Sequence, residues 1–220
     1  MSKERVFKIP VSGSIGEYVE KRSKFLATLI PVEDEKKAES EIRRLKKKYY
    51  DERHNCYAYV VFSQDKEVIE RSSDDGEPSG TAGKPILEVI TGGQIYNILI
   101  VVTRHFGGVL LGTGGLVRAY TAAAKEALTN CKLTEIREGE KFRLNLNYND
   151  LGKVQYLMRS LDACELESTY ENDINLVLII PKDNGERFKR ELSEIFSGKE
   201  KLESEGTVMY GSEGGKTFIL

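Results

Sequence analysis

Two segments of the chain combine glycine with charged and hydroxyl side chains, a mixture typical of anion-binding loops. The first, residues 72–85, reads SSDDGEPSGTAGKP, and the second, residues 103–120, reads TRHFGGVLLGTGGLVRAY. Glycine costs backbone entropy, so a run of it usually indicates special dihedral angles or close approach of a ligand to the backbone. Together with nearby cations, these runs predict an anion site. The alternative is a pair of tight turns in which glycine only permits close packing.

The second segment supplies most of the groups expected to bind an anion. Its glycine amides precede a predicted helix, and the dipole of that helix favours negative charge at its start. Arg118 lies in the first turn, where a cation opposes the dipole unless an anion lies between them. Arg104 follows a buried strand, the position where open α/β sheets place ligands. The residues predicted to bind nucleic acid or another anion are Lys24, His54, Lys84, Arg104, Gly112, Gly114, Gly115 and Arg118.

The first segment carries three carboxylates around one glycine. Clustered carboxylates can hold Mg²⁺ or act as acid and base, but Asp-Gly is also a turn dipeptide and a proline follows it. We therefore predict a turn, and no metal site. The polar residues assigned to this loop are Asp74, Asp75, Glu77, Ser79 and Thr81.

Neither segment matches a nucleotide-binding fingerprint. A dinucleotide motif starting at Gly112 needs glycine where Val117 stands, and a Walker A motif ending at Lys84 needs glycine where Pro78 stands. We predict no cofactor.

Two other groups of side chains have both a chemical and a structural interpretation. His54 and Cys56 are two apart in a predicted strand, so they face the same side at about 6.5–7 Å. A strained Cys–His pair is one interpretation, and a buried cysteine beside a histidine at the sheet rim is the commoner arrangement. Zinc motifs are absent from the sequence. Phe106 is a candidate platform for stacking a nucleobase, whereas Tyr57 and Tyr59 are assigned to the core.

The hydrophobic pattern predicts alternating elements that would position these residues. Before residue 137 we expect one or two strands over 17–32, further strands over 56–62, 67–71 and 98–102, and helices over 33–50, 85–90 and 116–128. After it, the order strand-helix-strand-strand-helix-strand is that of a ferredoxin-like split βαβ unit. The predicted domains are residues 1–135 and 138–220, with a linker over 134–139.

Composition limits the classes of protein to consider. No apolar run approaches the length of a membrane span, and the first residues have no apolar signal region. Three cysteines without a close pair argue against a disulfide framework, so a cytoplasmic protein is expected. Residues 1–137 carry 22 basic and 19 acidic side chains, whereas residues 138–220 carry 11 and 16. A mildly basic front half permits nucleic-acid contact without requiring it.

The two glycine-rich segments, with KRSKFLA (21–27) and HNCYAYVV (54–61), resemble the signature stretches of the Impact family. The resemblance implies an α+β fold. Its N-terminal βα domain would have the ribosomal-protein domain-2-like superfold, which is also found in domain IV of elongation factor G, ribonuclease P protein and small-metabolite kinases. Its C-terminal domain would be ferredoxin-like (βαββαβ), similar to the last domain of elongation factor G.

The resemblance also implies a role in translation, because eukaryotic relatives are linked to translational control through an extra N-terminal partner-binding domain. That domain is not expected here, since residues 1–25 lead straight into the family core. The family's motif residues fall on Arg22, Lys24, His54, Asp74, Asp75, Glu77, Thr81, Arg104, Gly107, Gly108, Gly112, Gly114, Gly115 and Arg118. His105 departs from the family pattern, in which an aromatic residue is usual.

These observations leave three functional interpretations open. The first is a non-catalytic protein associated with RNA or the ribosome, which binds phosphate backbone through its N-terminal domain and a protein partner through its acidic C-terminal domain. The second is an enzyme that binds a phosphorylated small molecule or nucleotide in the same loop, with Asp74 or Glu77 as base or Mg²⁺ ligand. The third is a protein-interaction module with purely structural glycine loops. No membrane contact is expected.

Overall fold

A computed structural model describes residues 6–63, 67–199, 201–213 and 216–220. The chain divides into two compact units, one formed by Phe7–Thr134 and the other built around Glu135–Leu220. Both units combine antiparallel sheet with helices, which confirms the predicted α+β fold. No helix in the described part of the chain is long and apolar enough to cross a membrane.

The described residues of the N-terminal unit form six strands and three helices. The strands are β1 (Phe7–Pro10), β2 (Ser14–Glu20), β3 (Ser23–Pro31), β4 (His54–Phe62), β5 (Val68–Ser73) and β6 (Ile98–His105). The helices are α1 (Glu35–Lys48), α2 (Gly83–Gly92) and α3 (Gly112–Thr129). Strands β2 to β6 form one sheet in the order β2-β3-β6-β4-β5, with every neighbouring pair antiparallel. Strand β1 lies outside this order, and beside it the Val11 amide donates to the Lys132 carbonyl at 2.9 Å.

The central strand β6 explains why helices cover both faces of this sheet. Every residue from Ile98 to Arg104 is buried, so both faces of the strand need apolar cover. Helix α1 packs on one face through its buried residues Ala38, Ile42 and Leu45. Helices α2 and α3 pack on the other face, and Ala119, Tyr120 and Ala123 of α3 belong to that core.

Helices α2 and α3 begin earlier than their sequences indicated. The apolar face predicted for α3 is buried, but the helix starts at Gly112 and not at residue 116. Helix α2 likewise starts at Gly83 and not at residue 85. Glycine is a poor helix former, so its presence pointed to loop at both positions. As a result, the glycine amides expected in a loop before α3 belong to the first turn of the helix itself.

The C-terminal unit has the predicted βαββαβ order with one extra strand at the end. Its strands are β7 (Leu133–Leu146), β8 (Cys164–Tyr170), β9 (Ile174–Pro181), β10 (Lys201–Glu213) and β11 (Lys216–Ile219). Its helices are α4 (Leu151–Ser160) and α5 (Gly185–Phe196), with a short 3₁₀ helix at Lys182–Asn184. The sheet order is β11-β10-β7-β9-β8, and the four strands other than β11 give the ferredoxin-like arrangement.

The residues predicted as a linker, 134–139, belong to the long strand β7, and the two compact units divide between Thr134 and Glu135. Residues Ile136 to Gly139 pair with β10. Ile136 is buried between the exposed residues Glu135 and Arg137, as expected for a strand with one solvent-facing side.

Candidate nucleic-acid interface

A cleft of about 860 Å³ opens at one end of the sheet in the N-terminal unit. Three stretches of chain form its wall: the turn before β4, the polar loop after β5, and the end of β6 with the start of α3. Strands β4 and β6 are paired with His54 opposite Arg104, which brings the first and third stretches together. The lining residues taken from the two glycine-rich segments are Gly76, Glu77, Pro78, Arg104, His105, Phe106, Leu110, Leu111, Gly112, Thr113 and Leu116.

A buried ion pair forms part of the cleft wall. The Arg104 guanidinium donates through Nη1 to Glu77 Oε1 at 2.7 Å, and the two side chains are only 7% and 3% exposed. Removing one partner of such a pair leaves an uncompensated buried charge, at a cost of about 3–5 kcal/mol. The pair therefore locks the polar loop to the end of β6.

The ion pair continues into a network of hydrogen bonds. The Tyr120 hydroxyl donates to Glu77 Oε1 at 2.8 Å, and the Cys56 thiol lies 3.3 Å from that hydroxyl and 3.0 Å from the Asp74 carbonyl. Burial raises the pKa of the Cys56 thiol to about 12. Burial also raises the pKa of Tyr120. Cys56 is therefore a neutral, buried thiol, and the interpretation of Cys56 with His54 as a nucleophile–base pair is not supported.

The Asp74 carboxylate is occupied by backbone amides at the start of α2. One oxygen accepts from Ala82 N and Gly83 N, both at 2.9 Å, and the other accepts from Gly80 N at 2.8 Å. Burial acts to raise the pKa of Asp74, but the three N–H donors outweigh it and lower the pKa. Asp74 thus caps α2 from a distance, which is the usual role of an acidic side chain at a helix N-terminus.

Asp75 holds the same loop to its other neighbours. Its carboxylate accepts from the Asn55 amide at 2.8 Å and pairs with Lys46 of α1. Its carbonyl lies 3.0 Å from Nδ1 of His54. A proton on Nδ1 satisfies this contact and leaves Nε2 of His54 as an acceptor. The predicted turn at residues 74–77 is present, and no group of three or more potential metal ligands occurs among the described residues.

The end of β6 and the residues that follow it are fixed on one side by contacts with the protein and are exposed to solvent on the other. The guanidinium carbon of Arg104 lies 5.2 Å from the centre of the Phe106 ring and 5.5 Å from that of Phe25. The next residue, Gly107, donates its amide to Ser23 Oγ at 3.1 Å. A Cβ on Gly107 would lie 2.1 Å from the backbone carbon of Arg22, so only glycine fits there. Phe106 is nevertheless 57% exposed.

The glycines at the start of α3 have different structural reasons. Gly112 has φ +70°, a left-handed conformation that favours glycine. A Cβ on Gly115 would lie 3.0 Å from Leu111 Cβ, so packing favours glycine there as well. Neither backbone conformation nor packing requires glycine at position 114, because an added Cβ would meet only the far end of Arg118 at 3.7 Å. The protein itself therefore does not require a glycine at position 114.

The cleft brings together some of the predicted site residues and leaves others outside. The predicted residues that line it are His54, Glu77, Arg104 and Gly112. Lys24 and Lys84 do not line it and pair instead with Glu17 at 2.7 Å and Glu88 at 4.0 Å. Gly114, Gly115 and Arg118 follow on α3. Ser79 is exposed, and Thr81 is buried with its hydroxyl on the Pro78 carbonyl at 2.6 Å.

The prediction for Arg104 needs revision. We expected a guanidinium free to bind phosphate, but its charge is already compensated by Glu77. Its Nε is the one buried side-chain N or O atom among the described residues that has no hydrogen-bond partner. Arg104 therefore shapes the cleft, and its donor capacity there is only partly used.

Glu52 and Arg53 of the cleft had no role in the sequence analysis, and His105 was noted there only as a departure from the family pattern. His105 Nδ1 contacts the Glu52 carboxylate, and Arg53 is an exposed cation beside them. The Glu52–His105 contact joins residues 53 positions apart, so no local pattern could indicate it. The ring of Tyr120 lies on the buried apolar face of α3, but its hydroxyl bonds to Glu77.

Comparison with known proteins identifies both halves of the chain. The Impact N-terminal domain matches residues 21–128, and a domain of unknown function, DUF1949, matches residues 144–199. The chain is 34% identical to IMPACT family member YvyE of Bacillus subtilis, over 88% of each protein. It is 37% identical to an IMPACT family member of Haemophilus influenzae, over 87% of this chain and 93% of that protein.

A solved structure agrees with these matches. A crystal structure of a hypothetical protein superposes with a TM-score of 0.59 at 30% sequence identity, covering 91% of this chain and 97% of that one. The residues that line the cleft, from Asp51 to Leu116, all fall within the stretch matched by the Impact N-terminal domain. The chain belongs to the IMPACT family.

Proposed function

We propose that this chain is a non-catalytic RNA-binding protein that acts in translation or its regulation, and that residues 103–120 contact the RNA. The observation that carries the proposal is the outward presentation of this segment. It combines an exposed aromatic ring with an open helix start on the wall of one cleft. Aromatic rings beside positive charge are the usual means by which proteins hold single-stranded nucleic acid.

The start of α3 offers a place for a phosphate group. The first N–H groups of a helix have no partner within the helix, and its dipole favours an anion there. Gly114 leaves this surface open, because it has no side chain and only the far end of Arg118, at 3.7 Å, lies near the place of a Cβ. The Arg118 guanidinium lies over the same turn, and we find no ion-pair partner for it among the described residues. The unused donor at Arg104 Nε is a second indication of a missing acceptor.

Charge around the cleft supports a weak, salt-sensitive affinity, because Asp51 and Glu52 line the same wall as Arg53. Arg53 is exposed on the cleft wall and has no ion-pair partner in the part of the chain that the structure describes. Arg104 contributes little net charge, because Glu77 compensates it. Two uncompensated arginines, Arg53 and Arg118, would neutralise about two phosphates.

We assign the acidic C-terminal unit to contact with a protein partner.

A direct test compares RNA and ATP binding to the purified chain at low and high salt. We expect RNA binding that weakens with salt, and no ATP binding. Arg118→Ala should weaken RNA binding for all sequences and reduce the slope of log affinity against log salt by about one. Arg43→Ala is the matched control, since Arg43 is an exposed arginine of α1 that does not line the cleft. RNA binding that is absent or independent of salt would contradict the proposal.

A second candidate function is an enzyme that binds a phosphorylated small molecule or nucleotide in this cleft. The cleft volume falls in the range typical of small-molecule sites, about 300–1,000 Å³. The contact of His105 Nδ1 with Glu52 leaves Nε2 free for proton transfer, whereas Asp74 is occupied by amides. Saturable ATP binding with weak RNA binding would favour this candidate. His105→Asn should then abolish turnover.

A further inference from the structure

We propose that Phe106 stacks on an unpaired nucleobase, so that the cleft selects single-stranded RNA over duplex RNA. This inference rests on the proposed function and adds the class of RNA that the site recognises. The argument uses the exposure of the ring, the contacts that fix it, and its position relative to the start of α3.

Phe106 is exposed in a way that the fold does not require. It is 57% exposed, and no other phenylalanine of the chain is exposed to a comparable degree. A phenylalanine has no polar group that gains from contact with water, so its exposure is a cost. A tyrosine such as Tyr156, which is 76% exposed, keeps its hydroxyl in water. The Phe106 ring is therefore a surface that lacks its partner.

Contacts of the residues before and after Phe106 fix the position of its ring. On one side, Arg104 lies 5.2 Å from the ring centre and is itself held by Glu77 at 2.7 Å. On the other side, Gly107 is fixed by its bond to Ser23 and by close backbone contact with Arg22. A ring with few accessible orientations loses little entropy when a ligand stacks on it. These contacts make Phe106 a preorganised platform.

The platform and the helix start lie on the same cleft wall. Phe106, Gly112 and Thr113 all line the cleft, so a nucleotide stacked on the ring has its phosphate near the first turn of α3. Stacking requires access to the flat face of a base, which duplex RNA covers by base stacking on both sides. The ring can therefore contact only an unpaired base. Because every base has such a face, we expect little sequence preference.

The test uses short RNA oligonucleotides in three forms: single-stranded, fully paired, and single-stranded with abasic sugars that keep every phosphate. For the wild-type chain, the single strand should bind most tightly. Phe106→Ala should weaken binding of the single strand by about 5- to 150-fold, the range for loss of one stacked base. Phe106→Trp, which keeps an aromatic ring at this position, should bind the single strand as tightly as wild type. Tyr156→Ala is the control, since Tyr156 is an aromatic residue of α4 that is 76% exposed and does not line the cleft.

The abasic RNA separates stacking from phosphate contact. If Phe106 stacks on a base, the abasic strand should bind wild type as weakly as the intact strand binds Phe106→Ala, and the variant should bind both strands equally. Equal binding of all three RNA forms by wild type, or no loss in Phe106→Ala, would overturn this inference while RNA binding itself stands. If wild type binds no RNA at low salt, the proposed function fails, and the inference fails with it. Thermal unfolding of each variant verifies that it is folded.

Discussion

The two glycine-rich segments look alike in sequence but have opposite roles in the structure. In residues 72–85 the carboxylates are turned inward: Asp74 caps α2, Asp75 pairs with Lys46, and Glu77 pairs with Arg104. In residues 103–120 the ring of Phe106 and the surface of Gly114 are open. The first segment has a structural role, because its carboxylates bind other parts of the protein. The second segment exposes the groups that we propose bind RNA.

This difference shows that residue type alone does not identify a site. A carboxylate whose oxygens already accept several N–H bonds has little capacity left for a metal or a substrate. The three acids of residues 72–85 are such groups, although they were the most obvious metal or acid–base candidates in the sequence. We therefore expect substitutions in the first segment to change stability, and substitutions in the second to change binding.

The largest expected effect is that of Glu77→Gln. It leaves the Arg104 charge buried and uncompensated, so the free energy of unfolding should fall by about 3–5 kcal/mol. Urea denaturation measures this change. Glu88→Gln is the control, because Glu88 forms an exposed pair with Lys84 at 4.0 Å and should contribute less than about 1 kcal/mol. A Glu77→Gln variant as stable as wild type would mean that the ion pair of Glu77 with Arg104 does not hold residues 72–85 to β6.

Asp74→Ala should lower stability by about 2 kcal/mol at neutral pH, through loss of the cap on α2. The pKa of Asp74 lies below its ordinary value of 3.8, so its contribution is present above that pH and is lost as pH falls through the folded-state value. The stability difference between wild type and variant should therefore shrink in acid. Urea denaturation at neutral and acidic pH tests this, with Ser79→Ala in the same loop as the control. A difference independent of pH would contradict the capping role.

Gly114→Ala should have a smaller effect of opposite sign on stability. Alanine is the better helix former by about 1 kcal/mol, and the added Cβ meets only the flexible end of Arg118. The same methyl group occupies the surface proposed for phosphate, so RNA binding should weaken. Gly115→Ala is the matched control for stability. Its Cβ would lie 3.0 Å from Leu111 Cβ, and this close contact should offset the gain in helix propensity. A Gly114→Ala variant that binds RNA as tightly as wild type would place the phosphate elsewhere.

Local pattern was enough to predict much of the fold. Helix α1 was expected over 33–50 and spans Glu35–Lys48, because its apolar residues recur at helical spacing and Asp34 caps it. The strand-helix order of the C-terminal unit was also correct. The helix starts that were misplaced are those where glycine begins a helix, at Gly83 and Gly112, because intrinsic propensity there is overridden by tertiary contacts such as the Asp74 cap. Strand β1 was not predicted, and residues 134–139 were predicted as a linker but form part of β7.

The candidate site was less predictable, because its contacts join distant parts of the chain. Glu77 and Arg104 are 27 residues apart, and Tyr120 reaches Glu77 across 43. The sequence indicated that each of these regions was unusual, but not that Arg104 would be neutralised by Glu77. Phe106 was identified as a stacking candidate from its neighbours alone, and its exposure is what distinguishes it from the buried aromatic residues.

The most direct test of the different roles of the two segments is a titration of the labelled chain with single-stranded RNA, followed through its backbone amide NMR signals. We expect shifts to concentrate at Phe106, at the start of α3 and at Arg118, while the amides of Gly80, Ala82 and Gly83 stay unchanged because Asp74 already occupies them. Shifts centred on residues 72–85, or confined to the C-terminal unit, would contradict the account.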